Sequence, residues 1–217
     1  MRLFLDSANM TQLQPLLSTG AFYGVTTNPL ILKENGLSPV ELPSFVKATL
    51  QAGAREVYLQ AWGQQVEDLL QCAHSLARID ERVVVKLPAT QEGLSVASRL
   101  AVEGVRTCIT AVYTPFQALL ASAVGAAFVA PYLGRLNDSG RDGYAIIAKM
   151  AKALRCIGSA TEILAASIRS TADLVTLAQK GVRCITFSVP IAERLFQEPM
   201  TLEATQAFEQ IMREVSA

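Results

Sequence analysis

Of the six lysines in the chain, Lys86 ends an apolar run, Val83-Val84-Val85-Lys86-Leu87-Pro88. An amine at the tip of an otherwise apolar strand calls for a chemical reason, because lysine ordinarily lies on a solvated surface. Covalent amine catalysis supplies one: a nucleophilic lysine must be neutral, and desolvation favours the neutral form. The plainer alternative is a lysine that snorkels or pairs with a buried carboxylate such as Asp6. Lys33, Lys47, Lys149, Lys152 and Lys180 lie instead in helical or turn contexts with polar neighbours.

Other reactive or polar side chains recur just after short β-rich runs. These are Asp6, Thr26-Thr27-Asn28, Gln60, Thr110 with Tyr113, Tyr132-x-x-Arg135, and Ser167-x-Arg169. Each has an ordinary reading: Asp6 as a cap before a helix over Ala8–Leu16, with Ser7 and Asn9 as competing caps, Asn28 as a turn residue before Pro29, the tyrosines as packing over a core, and the arginines as surface charges. Taken together, Arg135 and Arg169 suit a phosphate or carboxylate, with Ser167 adding a hydroxyl donor.

For these groups to meet, the elements carrying them must converge. The β-rich runs fall near Arg2–Leu5, Gly24–Thr26, Val57–Leu59, Val83–Lys86, Thr107–Ala111, Phe128–Pro131, Ile163–Ala165 and Cys184–Phe187. They alternate with segments of helical periodicity, clearest over Val66–Ala77 and Leu94–Val102, and Gly104 and Gly181 stand as helix stops. Eight such units predict an α/β fold, a (β/α)8 TIM barrel, whose active sites gather at the C-terminal strand ends. The segment Gly134–Gly140 reads as a loop, and the tail from Thr201 as an additional amphipathic helix that covers the barrel or a neighbouring subunit. No linker or repeat divides residues 1–217, so one domain is expected.

Composition narrows the function further. The chain has 217 residues, 51% of them hydrophobic, with 19 basic against 19 acidic side chains. That balance, without a basic cluster, argues against nucleic acid and against an anionic membrane, leaving a small molecule as the expected partner. No apolar run is long enough to span a bilayer, and Asp6 interrupts the N-terminus too early for a secretory signal. Cys72, Cys108, Cys156 and Cys184 form no Cys-x-x-Cys pair and read as buried free thiols of a reducing, cytoplasmic compartment. His74 is the only histidine, which removes a Ser-His-Asp triad and makes a histidine metal site untenable, and no nucleotide or EF-hand motif occurs.

The residues also carry a family resemblance. Leu5-Asp6-Ser7-Ala8-Asn9, Gly24-Val25-Thr26-Thr27-Asn28-Pro29, Val84-Val85-Lys86-Leu87-Pro88, Ala130-Pro131-Tyr132-Leu133-Gly134-Arg135 and Ala165-Ala166-Ser167-Ile168-Arg169 resemble, in order, the signatures of the transaldolase family. Within it the chain is most similar to the small subgroup of fructose-6-phosphate aldolase and short microbial transaldolases. The resemblance implies a Schiff-base lysine at Lys86, no metal or other cofactor, a sugar phosphate or hydroxyketone as substrate, and a homo-oligomer, a decamer gripped by C-terminal helices. It also implies Tyr132 as acid/base through a water held by Gln60 and Thr110, Asp6 assisting proton transfer, Thr26 and Asn28 contacting the substrate, and Arg135, Ser167 and Arg169 holding its phosphate.

Gln60 stands where the family's transaldolases carry glutamate, and Tyr132 where they carry phenylalanine; both are the aldolase residues. Cys108 replaces an asparagine usual in transaldolases. Gly134–Asp138 and Ser167-Ile168-Arg169 are closer to the short transaldolases. The expected activity is therefore a class I aldolase that cleaves a ketose phosphate such as fructose 6-phosphate to dihydroxyacetone and glyceraldehyde 3-phosphate. A transaldolase is the alternative within the family. Outside it stand a barrel that binds sugar phosphates without catalysis and a Schiff-base aldolase acting on deoxyribose phosphate or a keto-acid sugar.

Overall fold

A computed structural model describes residues 1–216 of the chain. The elements run β1 (Arg2–Asp6), α1 (Met10–Leu17), β2 (Gly24–Thr26), α2 (Pro29–Glu34), a 3-10 turn (Pro39–Glu41), α3 (Leu42–Gln51), β3 (Glu56–Gln60), α4 (Val66–Ala77) and β4 (Val83–Pro88). They continue with α5 (Gln91–Val102), β5 (Thr107–Val112), α6 (Pro115–Ala123), β6 (Phe128–Pro131), α7 (Leu133–Asp138), α8 (Gly143–Cys156), β7 (Glu162–Ala165), α9 (Thr171–Gln179), β8 (Cys184–Phe187), α10 (Val189–Arg194) and α11 (Pro199–Val215). The strands pair in parallel and in sequence order, and β1 closes on β8 through Leu5 opposite Phe187. This is the expected (β/α)8 barrel.

Alternation along each strand divides the apolar side chains between two cores. Leu5, Val25, Val57, Leu59, Val85, Ile109, Val129 and Ile185 face outward and pack with the helices. Phe4, Tyr58, Val84, Cys108, Phe128, Ala130, Leu164 and Cys184 fill the barrel interior. Phe4 meets Tyr58 edge-on at 5.3 Å between ring centres, and Tyr58 meets Phe128 at 5.4 Å, so the lower barrel is a plug, not a pore. Below the aromatics, Arg106 pairs with Glu56 and Arg2 with Glu162.

The same alternation carries Asp6, Thr26, Gln60, Lys86, Thr110 and Tyr132 to the inner side at the C-terminal strand ends. One irregularity shapes this rim. Between the pairs Ile109–Val129 and Val112–Pro131, β5 holds one more residue than β6, and Ala111 sits in this bulge at φ 59°. The extra residue turns Val112 outward to the helix layer, so Thr110 is the last inward side chain of its strand.

Helix starts match their sequence signals. Asn9, not Asp6, caps α1 by accepting from the Gln12 amide, which leaves the Asp6 carboxyl to other partners. Thr90 caps α5, so that helix begins at Gln91, ahead of the periodic stretch from Leu94. Gly104 and Gly181 follow α5 and α9 at φ 77° and 82°, as stop residues do. Helix α4 spans Val66–Ala77 as its periodicity predicts.

Two expectations need correction. Much of Gly134–Gly140 is helical, not a loop: Leu133 and Leu136, three residues apart, bury one face of α7, a signal masked by the intervening glycine and by the polar residues after it. The four cysteines are not uniformly buried. Cys108 and Cys184 are, but Cys72 is half-buried and Cys156 is exposed, because the last turn of α8 extends past the core. The tail is helical from Pro199, and α11 buries no residue; Leu202, Phe208, Ile211 and Met212 are all exposed.

Candidate active site

Lys86 is 6% exposed, and its Nζ donates to the main-chain carbonyl of Thr27 at 2.6 Å. That bond aims the amine across the mouth of the barrel from β4 toward the end of β2. Lys86 stands in register with Gln60 on β3 and Cys108 on β5. It is the one lysine held in a strand among the described residues. Burial pushes the Cys108 thiol up to about 12, against the pull of the Lys86 charge, so this neighbour is a neutral, small apolar wall.

Asp6 does not make the direct hydrogen bond that a simple buried pair would require. Its Oδ1 accepts from the Thr26 hydroxyl at 2.6 Å. Desolvation raises its pKa above the usual carboxylate value, while the Lys86 charge and the Thr26 hydroxyl pull it partly back. Thr26 is engaged on its other side too, 2.6 Å from the Thr186 hydroxyl. Its oxygen is thus held within the wall of the site. Asn28 caps α2, its Oδ1 accepting from the amides of Leu30 and Ile31, while its amide nitrogen makes no hydrogen bond among the described residues.

On the opposite wall the Tyr132 phenol and the Thr110 hydroxyl are 2.8 Å apart. Tyr113 meets the Tyr132 ring edge-on at 5.7 Å, and the Arg135 guanidinium lies 5.0 Å from its centre. These contacts leave the phenol few other orientations. A phenol, an amine and a carboxyl at or just beyond the ends of three strands are groups chemically able to act as a nucleophile and as proton carriers.

The predicted arginine and serine residues lie on α7 and in the segment after β7. The Leu133 amide donates to the Ala166 carbonyl, and the Gly134 amide to the Ser167 carbonyl at 2.8 Å, tying the start of α7 to the end of β7. Ser167 adopts φ 59°. A Cβ at position 134 would come within 2.5 Å of the Ser167 carbonyl and 2.6 Å of Arg169 Nε, so glycine permits this approach. Arg135 and Arg169 are both exposed; Arg169 also donates to Asp138 Oδ2 at 2.9 Å.

The residues singled out from sequence thus lie at one end of one barrel. Two partnerships were not foreseen. Thr27 was singled out within Thr26-Thr27-Asn28, but it engages Lys86 through its main-chain carbonyl, which carries no side-chain signal. Thr186 was detectable in principle, since it lies two residues beyond the inward-facing Cys184 on β8. His74, set aside on sequence, sits on α4 and contacts Glu103 at 2.8 Å, away from the strand ends. A cavity of about 600 Å³ lies at the opposite end, lined by Thr161, Glu162, Val182 and Arg183, where this fold does not place its chemistry.

Comparison with known proteins agrees with the barrel. The sequence profile of the Transaldolase/Fructose-6-phosphate aldolase family matches residues 3–217. A probable transaldolase of Streptococcus pyogenes is 32% identical over 208 residues, covering 96% of each chain. One of Methanococcus maripaludis is 33% identical over 210 residues, covering 96% of this chain and 95% of its own. Another, from Dehalococcoides mccartyi, is 36% identical over 202 residues, covering 93% of each. With all eight strands and the buried lysine of β4 inside the matched span, the chain belongs to the transaldolase/fructose-6-phosphate aldolase family, an enzyme family acting on sugar phosphates.

Proposed function

We propose that the chain is a class I, Schiff-base aldolase that cleaves a ketose phosphate of the fructose 6-phosphate type. The observation that carries this reading is the buried Lys86 amine, hydrogen-bonded to a carbonyl and facing a wall that bears a phenol. Neutral Lys86 attacks the ketone carbon to form a carbinolamine. Loss of water, with proton donation from Tyr132, leaves an iminium that accepts the electron pair released as the neighbouring carbon-carbon bond breaks. The proton of the hydroxyl at the cleaved bond passes to Asp6, and glyceraldehyde 3-phosphate departs.

Tyr132, reprotonated from solvent through a water held by Thr110 and Gln60, then protonates the three-carbon enamine on Lys86 at carbon. Hydrolysis of the resulting iminium frees dihydroxyacetone and returns one proton, and Asp6 releases to solvent the proton it took, so every group is reset. Gln60 orients that water but exchanges no proton. Asn28 holds substrate hydroxyls through its free amide, and Arg135, Ser167 and Arg169 hold the terminal phosphate. Thr26 serves the substrate through Asp6, which it orients.

A second reading, transfer of the dihydroxyacetone unit to another aldehyde, is favoured by the names of the relatives. Gln60 and Tyr132 favour release instead, because a phenol, with an amide able to orient a water beside it, suits protonation and hydrolysis of the enamine. Two measurements test the proposal. Borohydride with fructose 6-phosphate should trap a covalent adduct on the wild-type protein and none on Lys86→Met; trapping in the variant would sink the Schiff-base assignment. Release of free dihydroxyacetone should exceed transfer to erythrose 4-phosphate; the reverse would name a transaldolase.

A further inference from the structure

Asp6, Thr26 and Thr186 lie on three adjacent strands, β1, β2 and β8, and form a hydrogen-bonded chain with both links at 2.6 Å. A hydroxyl has one proton to give. The Thr26 proton goes to Asp6 Oδ1, so the proton between the two threonines must come from Thr186. The direction is thereby fixed as Thr186 to Thr26 to Asp6. A carboxyl protonated on Oδ2 would keep this direction but accept through a neutral oxygen, a weaker bond than the charged carboxylate makes, so the chain favours the ionised form. A carboxyl protonated on Oδ1 would have to donate to Thr26, and Thr26 to Thr186. The Thr186 proton would then have no acceptor, since that hydroxyl makes no other hydrogen bond among the described residues. Thr186 is 3% exposed, so water does not readily substitute, and a stranded buried donor is costly.

We propose that Thr186 is a positioning residue that acts through Thr26 to keep Asp6 an oriented carboxylate. For its catalytic meaning this rests on the Schiff-base reading of Lys86. The surroundings of Asp6 leave few other controls on its charge. Lys86 is the cation facing it from β4, with the neutral Cys108 beside it on β5. Gln60, Thr110 and Tyr132 contribute an amide and two hydroxyl groups from β3, β5 and the end of β6, and the turn before α1 contributes Ser7 and Asn9. Against desolvation of the carboxyl stand one ammonium and one hydroxyl chain. A threonine suits the end of that chain, because its branched side chain restricts the rotation that would swing the donor away.

Thr186→Val keeps the shape and removes the donor, whereas Thr186→Ser keeps the donor and loses a methyl. The first measurement is the pH titration of the Asp6 carboxyl carbon by NMR in aspartate-labelled full-length protein, assigned with Asp6→Asn. The midpoint should rise in Thr186→Val and return in Thr186→Ser. The second is the pH profile of kcat for ketose phosphate cleavage. Its acidic limb should move upward in Thr186→Val, with kcat lower by roughly three- to tenfold on that limb and KM little changed, and Thr186→Ser should restore it.

An unmoved midpoint, or a shift that serine fails to reverse, overturns the proposal. If the wild-type protein forms no borohydride-trapped adduct, the Schiff-base reading falls while the carboxyl titration still decides the hydroxyl chain.

Discussion

The phenol of Tyr132 and the hydroxyl of Thr110 are 2.8 Å apart and link the ends of β5 and β6 across one side of the barrel mouth. The bulge at Ala111 makes this contact available by leaving Thr110 as the last inward residue of β5. Tyr132→Phe retains the ring that packs against Tyr113 and Arg135 and removes only the hydroxyl, with the proton it carries and its contact to Thr110. Turnover should fall by roughly a hundredfold or more with little change in KM. Steady-state kinetics decide it, and an unchanged kcat would move the proton donor elsewhere.

The two arginines should contribute unequally. Arg169 shares its guanidinium with Asp138, whereas Arg135 has no carboxylate partner among the described residues. Arg135→Ala should raise KM for fructose 6-phosphate by roughly tenfold or more, and Arg169→Ala by less. Neither should alter KM for an unphosphorylated hydroxyketone to the same extent. Equal changes for both substrate classes would assign the arginines a structural part.

Gly134→Ala probes the junction of α7 and β7. The added methyl would meet the Ser167 carbonyl and Arg169 Nε inside van der Waals distance, so the two segments must separate. We expect weaker binding of inorganic phosphate as a competitive inhibitor, together with a loss of stability of roughly 1–3 kcal/mol. Inhibition and denaturant curves read both, and an unaltered inhibition constant would remove Ser167 and Arg169 from phosphate recognition.

Asp6 makes a stability prediction with a definite sign. Its carboxyl titrates above the usual range in the folded chain, so the folded state holds its proton more tightly than the unfolded one. Its contribution to stability is greatest at acidic pH, below the unfolded value, and declines as pH rises through the raised folded value. Asp6→Asn should therefore raise the Tm near neutral pH, with the gain shrinking toward the acidic side, while activity is lost. Thermal melts across that range test it; a gain that grows on acidification would contradict the raised pKa.

The barrel was legible because its signals are local. Each strand is a short apolar or alternating run between capped helices, and Lys86 stood out as the one lysine ending such a run. Convergence of Asp6, Gln60, Thr110 and Tyr132 followed from the fold, since equal strand-end positions in a closed sheet are neighbours. What escaped the sequence was partnership. Nothing in the residue types says that Thr26 faces Asp6 and Thr186, or that Asn9 caps α1 in place of Asp6. These depend on register between strands distant in the chain. Helix α7 escaped for another reason: at six residues, with a glycine second, it has too few turns to display a period.

The acceptor that holds Lys86 belongs to the main chain at Thr27, whose own amide and hydroxyl both donate to the Tyr58 carbonyl. No codon change at position 27 deletes a peptide oxygen. Drift at that position can therefore loosen the aim of the amine but never abolish its partner, whereas the nucleophile depends on one irreplaceable side chain. In a saturation library the two ends of this single hydrogen bond should carry very different mutational tolerance.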